Sequence, residues 1–413
     1  MMSVEGPFLT AIIARMIEPK FNLAAYGVAF SFALIIEAPI IMIMSASTAM
    51  VKGGESYIRL RNFLYSLNAI ITGMMLVFLI PQVFDFIAVD LIALPQNIAD
   101  LTYKATLILL PWPGAIGYRR FYQGIMIRSN KTRRVAYGTV IRVITMALTA
   151  FSLFHFTNLN GAIVGAMALS VGVTFEALAS KLMCLDIIKE VKRVKEEKNQ
   201  PSLEYKEILK FYYPLALTSI IGLGVHPIVT FFMGQSISPI ESLAVLPVVN
   251  SLVFIFRSLG LSFQEVGIAL MGEKLENYKL LKKFAQITGA VVVGVLAVIA
   301  FTPLAQIWFS SVSGLSPALT SFAIMPLLIL TVLPGLTFWI SFQRAILVYS
   351  KITHPISKAT GIEVAGIILV LFIATHYFSL VGAVAAALGF MIGRLAANFY
   401  LIKPYNNALE LQK

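Results

Sequence analysis

Apolar runs of about 20 residues recur from one end of this chain to the other, separated by short polar breaks. A helix rises about 1.5 Å per residue, so each run can cross a hydrocarbon layer of about 30 Å. The runs are continuous rather than alternating, which excludes the strands of a membrane barrel. Lipid offers backbone N–H and C=O groups no partner, so such a chain must satisfy them within helices. Only 13% of the 413 residues are charged, against about 25% in a soluble chain. The expected fold class is therefore an all-α polytopic membrane protein.

The polar breaks predict a short first segment over 1–17, then spans at 22–50, 57–81, 102–127, 133–156 and 160–186. Beyond a charged linker follow 207–234, 241–271, 279–309, 318–349, 355–377 and 380–403. Asp85–Asp100 is polar and interrupted by Pro95, and reads as an interfacial connection. The predicted organisation is an N-terminal six-helix bundle over 1–188, a cytoplasmic linker over 189–206 and a C-terminal six-helix bundle over 207–413.

Charge sets the orientation. Lys52, Arg59, Arg61, Arg128, Lys131, Arg133, Arg134, the run Lys189–Lys198, Lys274, Lys279, Lys282, Lys283, Lys351, Lys358 and Lys403 fall in alternate loops. The opposite loops, near 158, 237, 313 and 378, carry almost no Lys or Arg. The positive-inside rule then puts the basic loops and the C-terminus in the cytoplasm, with the chain in the inner (plasma) membrane. The net charge of +12 is this loop bias rather than a nucleic-acid surface. The linker run reads as a helix extension in contact with anionic membrane lipids.

A single cysteine, Cys184, and four scattered histidines give no ligand spacing, so no metal site and no cofactor are expected. The absence of a Walker loop, an HExxH pair and a serine elbow argues against an enzyme and leaves no catalytic residue to name.

The chain repeats itself. Ser31-Phe32 through Glu37 matches Ser251-Leu252 through Arg257 at an offset of 220 (257 − 37), as do Leu23-Ala24 with Leu243-Ala244 and Gln123 with Gln343. Late in each half, Leu159-Asn160-Gly161-Ala162 matches Leu380-Val381-Gly382-Ala383 with one residue of slippage. Six spans per repeat give both halves one orientation, with a pseudo-twofold axis along the membrane normal. Pro7 and Thr10 match Pro227 and Thr230, so 205–220 has no counterpart in this chain. The first span is therefore expected to lack its N-terminal half, through a mis-assigned start at Met1 or Met2; the alternative is a short re-entrant first helix.

Ionisable groups within hydrocarbon cost roughly 2.5–3.5 kcal/mol each and normally face a cavity or a partner. Glu37 and Arg257 hold equivalent positions on the second and eighth spans, and Arg142 and Glu363 on the fifth and eleventh. Opposite charges at symmetric places could pair across a central cleft in one state and part in another. Alternatively they are static salt bridges that clamp helices within each half. Asn250, Arg257 and Gln264 recur every seven residues and form one polar stripe with Glu265 beside it. Arg119 and Gln123 share a face of the fourth span, suited to phosphate or carboxylate; Gln343 and Arg344 repeat them on the tenth. These arginines could instead snorkel to headgroups. His226 precedes Pro227, where a kink is expected. Glu176 and Arg394 read as interfacial or packing charges.

The twelve-span twin-bundle plan resembles the MATE-like (multidrug/oligosaccharidyl-lipid/polysaccharide exporter) superfamily over nearly the whole chain. Within it, Glu5-Gly6-Pro7, Ile12-Ile13-Ala14, Leu23-Ala24-Ala25-Tyr26-Gly27, Phe211-Tyr212-Tyr213-Pro214-Leu215-Ala216-Leu217 and Pro227-Ile228-Val229 resemble the progressive ankylosis (ANKH) family. That resemblance implies alternating-access export of a polyvalent anion such as pyrophosphate, ATP or citrate, and makes Glu5 a cavity residue. The chain departs from it at His226, where that family places an arginine. Arg257 is the expected electrostatic anchor, Glu37 or Glu5 the carrier of a coupling proton or sodium ion, and the protein a monomer. A cation-coupled multidrug antiporter and a lipid-linked saccharide flippase are the alternative readings.

Overall fold

The computed structural model describes residues 4–194, 203–272, 275–350, 352 and 354–410, apart from the side chains of Glu265 and Ala269. Among the described residues ten helices are long and apolar enough to cross a membrane. Two further segments complete the predicted set of twelve: the short first helix Glu5–Ile13, and a fourth span made of Gln96–Ile108 and Trp112–Arg128. Among the described residues the one extended pairing is an isolated bridge between Ile237 and Val381.

The helices are interrupted where the sequence removes a backbone donor. The second span runs as Pro19–Glu37, a short 3₁₀ turn Ala38–Ile40, and Ile43–Met50, because Pro39 cannot donate to the helical ladder. The Tyr212 hydroxyl donates to the Pro39 carbonyl at 2.6 Å. The eighth span has no proline at the equivalent place and is one helix, Pro239–Leu270. In the seventh span the break falls between Tyr205–Leu223 and Val225–Gly234, about one turn ahead of Pro227. Pro227 would donate to the carbonyl of residue 223, so the kink expected at His226-Pro227 appears at that acceptor.

The stretch Asp85–Asp100, read as an interfacial connection, is partly helical. Pro81–Asp85 and a π-helical turn Phe86–Leu91 lead through a bend into a fourth span that starts at Gln96. The ninth span likewise ends at Phe301, and the chain to 312 forms the matching short helix and π turn, Leu304–Ile307 and Trp308–Val312.

The repeat is written into the backbone. Ile92 N and Leu94 N donate to Ile87 O and Ala88 O; Ser313 N and Leu315 N donate to Trp308 O and Phe309 O in the same pattern. Ala93 and Gly314 between them are both left-handed, with φ of 62° and 74°, and Glu18 and Ser238, each just before a helix-opening proline, share φ of 51° and 54°.

By internal contacts the chain forms two compact units. One comprises the described residues of Ala25–Pro227; the other comprises those of Ile228–Lys413 together with residues 4–24. These boundaries differ from the sequence halves: the first helix groups with the second unit, and most of the seventh span with the first. In the second unit, Gly6 lies so close to the eighth helix that an added Cβ would stand 3.1 Å from Ser251 Cβ. Arg15 fastens the end of that first segment by donating to Ser311 O at 2.6 Å and Val312 O at 3.0 Å.

Candidate functional site

In the first unit the fourth span supplies one polar face. Pro111 ends Gln96–Ile108 and caps the helix opened by Trp112; Trp112, Arg119 and Gln123 follow at spacings of seven and four. They meet Glu37 at the end of Pro19–Glu37, Arg142 on the fifth span and Glu176 on the sixth. The Trp112 indole donates to Glu37 Oε2 at 2.5 Å. Arg119 Nη1 donates to Glu176 Oε2 at 2.6 Å, and Gln123 Nε2 to Glu176 Oε1 at 3.1 Å. Arg142 Nη1 stands 3.6 Å from the same carboxylate, its guanidinium 5.4 Å from the Trp112 ring centre. Arg120 lies beside them within electrostatic reach of Glu37 and Glu176, its Nε buried without a hydrogen bond. Three arginines thus surround two carboxylates.

In the second unit the equivalent network reverses its charges. Arg394 on the twelfth span donates through Nε to Glu363 Oε1 at 2.8 Å, with Nη2 at 2.7 Å from the same oxygen. Its Nη1 donates to Thr337 Oγ1 at 3.2 Å. Gln343 Nε2 donates to the Asn398 carbonyl at 3.2 Å, and Arg344 Nη2 to Thr360 Oγ1 at 3.3 Å. Arg257 stands within electrostatic reach of Arg394 and Glu363. Among the described residues it has no ion pair, and its Nε is buried without an acceptor. Among the described residues three arginines here share one carboxylate.

The sequence-read positions therefore fall into two groups. Arg119, Gln123 and Arg142 converge on Glu176, which is fully buried, so of its two readings, interfacial or packing, burial fits packing. Glu363 and Gln343 belong to the second cluster, where Arg394 is buried as well and likewise fits the packing reading. The ionisable pairs read as symmetric across a cleft, Glu37 with Arg257 and Arg142 with Glu363, each find neighbours within their own unit. Asn250, Arg257 and Gln264 are all half-buried on the eighth helix, as one stripe requires; the side chain of Glu265 lies outside the described residues. Glu5 is buried on the first helix of the second unit, and His226 opens the last part of the seventh span.

Sequence reading missed Trp112 as a partner and Glu176 as the hub. A signal existed: Glu176 lies well inside the 23-residue helix Gly161–Met183, where an ionisable group needs a partner.

No family model matches the chain, and no curated protein matches it. Solved structures do. An inward-facing multidrug resistance MATE family transporter of the MOP superfamily is similar over 99% of this chain and 95% of its own, at a TM-score of 0.80 and 16% identity. The lipid II flippase MurJ in an inward closed conformation covers 99% and 89%, at 0.68 and 17%. A MOP superfamily transporter from Pyrococcus furiosus, described as having a binding pocket of reverse polarity, covers 99% and 96%, at 0.59 and 15%. At these identities the likeness is one of fold, and the chain has the MATE-like fold.

Proposed function

We propose that this chain is a secondary transporter that exports organic or phosphate-type anions, such as pyrophosphate, ATP or citrate, by alternating access. The observation that carries the reading is the arginine excess of the second unit: Arg257, Arg344 and Arg394 with Glu363 as their one carboxylate partner among the described residues. Guanidinium groups gathered in a low-dielectric environment repel one another, and a multiply charged anion relieves that repulsion while using their planar paired donors. Arg257 is the anchor, since its charge is not already committed to a carboxylate.

Two of the solved structures of like fold are transporters by their descriptions, and the pocket of one is described as having a reverse polarity that suggests a different function. Coupling to a proton or sodium ion would use Glu37, held by one indole donor, or Glu5. The resemblance to the progressive ankylosis family points to the same substrates. Cytoplasmic placement of the C-terminus follows from the loop charges. The multidrug antiporter is the second reading, favoured by buried Glu37 and Glu5, which would suit a cation.

The test is uptake of labelled pyrophosphate, ATP and citrate by proteoliposomes, for wild type, Arg257→Ala and Arg257→Lys. Saturable anion movement lost in Arg257→Ala and partly kept in Arg257→Lys supports the anion reading. Proton-linked flux of a cationic dye, with no anion movement, moves the assignment to the antiporter.

A further inference from the structure

A second cationic cluster stands apart from the buried networks, on the third span of the first unit. Tyr57, Arg61 and Tyr65 recur every four residues along the helix Gly54–Phe78 and so share one face. The Arg61 guanidinium lies 5.9 Å from the Tyr57 ring centre and 5.8 Å from that of Tyr65. Lys192, on the short helix Leu185–Arg193, puts its ammonium 5.6 Å from the same Tyr57 ring. Lys181, near the end of the sixth span, lies 5.7 Å from the Tyr118 ring and within electrostatic reach of the Tyr57 and Tyr65 hydroxyls.

None of these three cations has a carboxylate ion pair among the described residues, and two of the neighbouring carboxylates are already taken. Glu55 pairs with Arg59, and Asp186 with Arg134. Arg61 makes one side-chain hydrogen bond, to Asn62 at 3.2 Å, and its Nε is buried without an acceptor. Aromatic faces hold the cations in place without neutralising them. Three positioned charges and tyrosine hydroxyls therefore lack an anion.

The level of the cluster says what kind of anion. Arg61 is seven residues into its helix, about 10 Å along the axis, and basic side chains reach over such a distance to the headgroup layer. Farther along the same helix Leu76, eleven residues on and so within about 20° of the direction of Tyr65, is 52% exposed, an apolar surface open to acyl chains. Tyrosine at the rim of such a face is the composition of a membrane interface.

We propose that Arg61, Lys181 and Lys192, backed by Tyr57, Tyr65 and Tyr118, form a site for the phosphate of an anionic lipid headgroup, whose acyl chains follow the outer face of the third span. The site is separate from the arginines assigned to transport, so it stands or falls independently of the substrate.

The test is native mass spectrometry of the purified full-length protein titrated with phosphatidylglycerol or phosphatidylcholine, for wild type and the triple variant Arg61→Gln, Lys181→Gln, Lys192→Gln. Lys282→Gln, a cation over Tyr278 in the other unit, serves as control. Wild type and control should retain phosphatidylglycerol about tenfold more tightly than phosphatidylcholine, and the triple variant should lose that preference. Inorganic phosphate is the competitor: lipid retention unaffected by millimolar phosphate supports a lipid site, whereas equal displacement would reassign it to soluble phosphate. Equal retention of both lipids by wild type, or an unchanged preference in the triple variant, overturns the proposal. Should the triple variant fail to fold, Lys181→Gln alone should lower the preference at least twofold, and no change there would overturn it as well.

Discussion

Arg142 and Glu363 occupy the same helix crossing in their respective units and carry opposite charges. Each turns its backbone carbonyl toward a glycine of the following span: a Cβ on Gly172 would stand 3.2 Å from Arg142 O, and one on Gly393 only 2.6 Å from Glu363 O. The fifth span gives the arginine and the sixth the carboxylate in the first unit; the eleventh gives the carboxylate and the twelfth the arginine in the second. The backbone of this crossing accommodates an ion pair in either order.

That symmetry predicts the outcome of a charge exchange. Glu363→Arg alone sets like charges against each other and removes Arg394's partner, a change worth about 3–5 kcal/mol. Adding Arg394→Glu restores a pair in the order already used by the first unit. The melting temperature in detergent should fall sharply for Glu363→Arg and recover by more than half in the double variant. A double variant no more stable than the single one would show that the order of charges matters after all.

The glycines make a second prediction, graded by distance. Gly393→Ala puts a methyl carbon into the Glu363 carbonyl, whereas the Gly172→Ala methyl meets Arg142 O and Met146 Cβ at 3.2 and 3.0 Å. Overpacking of this kind costs about 1–3 kcal/mol, and the larger loss should fall at Gly393. Equal melting temperatures for the two variants would mean that the helices part freely at this level.

Trp112 supports a third. Its indole N–H holds Glu37 while its ring lies beneath Arg142, so Trp112→Phe removes the first contact and keeps most of the second. A hydrogen bond to a charged group is worth about 1.5–3 kcal/mol. Trp112→Phe should still fold, with a lowered melting temperature and slower transport in proteoliposomes. Unchanged transport would remove Glu37 from the working machinery.

Much of this architecture is legible from the residues. Apolar run length gives the spans, and the 220-residue register puts Gln123 and Gln343, or Arg142 and Glu363, in matching places. Fold details that depend on one residue in one half are harder to see: Pro39 breaks the second span, but Ser258 and Leu259 leave the eighth intact. Partner choice is harder still. The repeat aligns Glu37 with Arg257 but says nothing of the bond that Glu37 makes within its own unit, to Trp112, a residue with no charge to advertise it. Glu176 escapes because its repeat counterpart is Ala397, and the second unit places its own charge at Arg394, one helical turn earlier.

The last prediction concerns the short helix Leu185–Arg193 that follows the sixth span. Its Ile187 and Ile188 are buried, and Arg134 ties down its first turn with a forked pair to Asp186, Nη1 to Oδ1 at 2.6 Å and Nη2 to Oδ2 at 2.7 Å. Arg134 Nη1 also donates to the carbonyl of Met183 at 2.5 Å, satisfying an end of the preceding helix. Hydrogen bonding from Arg134 holds the Asp186 carboxyl down at about 2, from an ordinary 3.8. A depressed carboxyl stabilises the folded state at every pH above its unfolded value. The contribution is lost as pH falls from about 4 toward 2. Near neutrality the latch is therefore indifferent to pH and sensitive to salt, because both partners are solvent-accessible. Hydrogen exchange of residues 185–194 should be flat between about pH 5 and 8 once corrected for intrinsic rates, rise at high ionic strength, and rise without salt in Asp186→Asn. Exchange in Asp186→Asn matching wild type at low salt would show that Ile187 and Ile188 hold the helix without the ion pair.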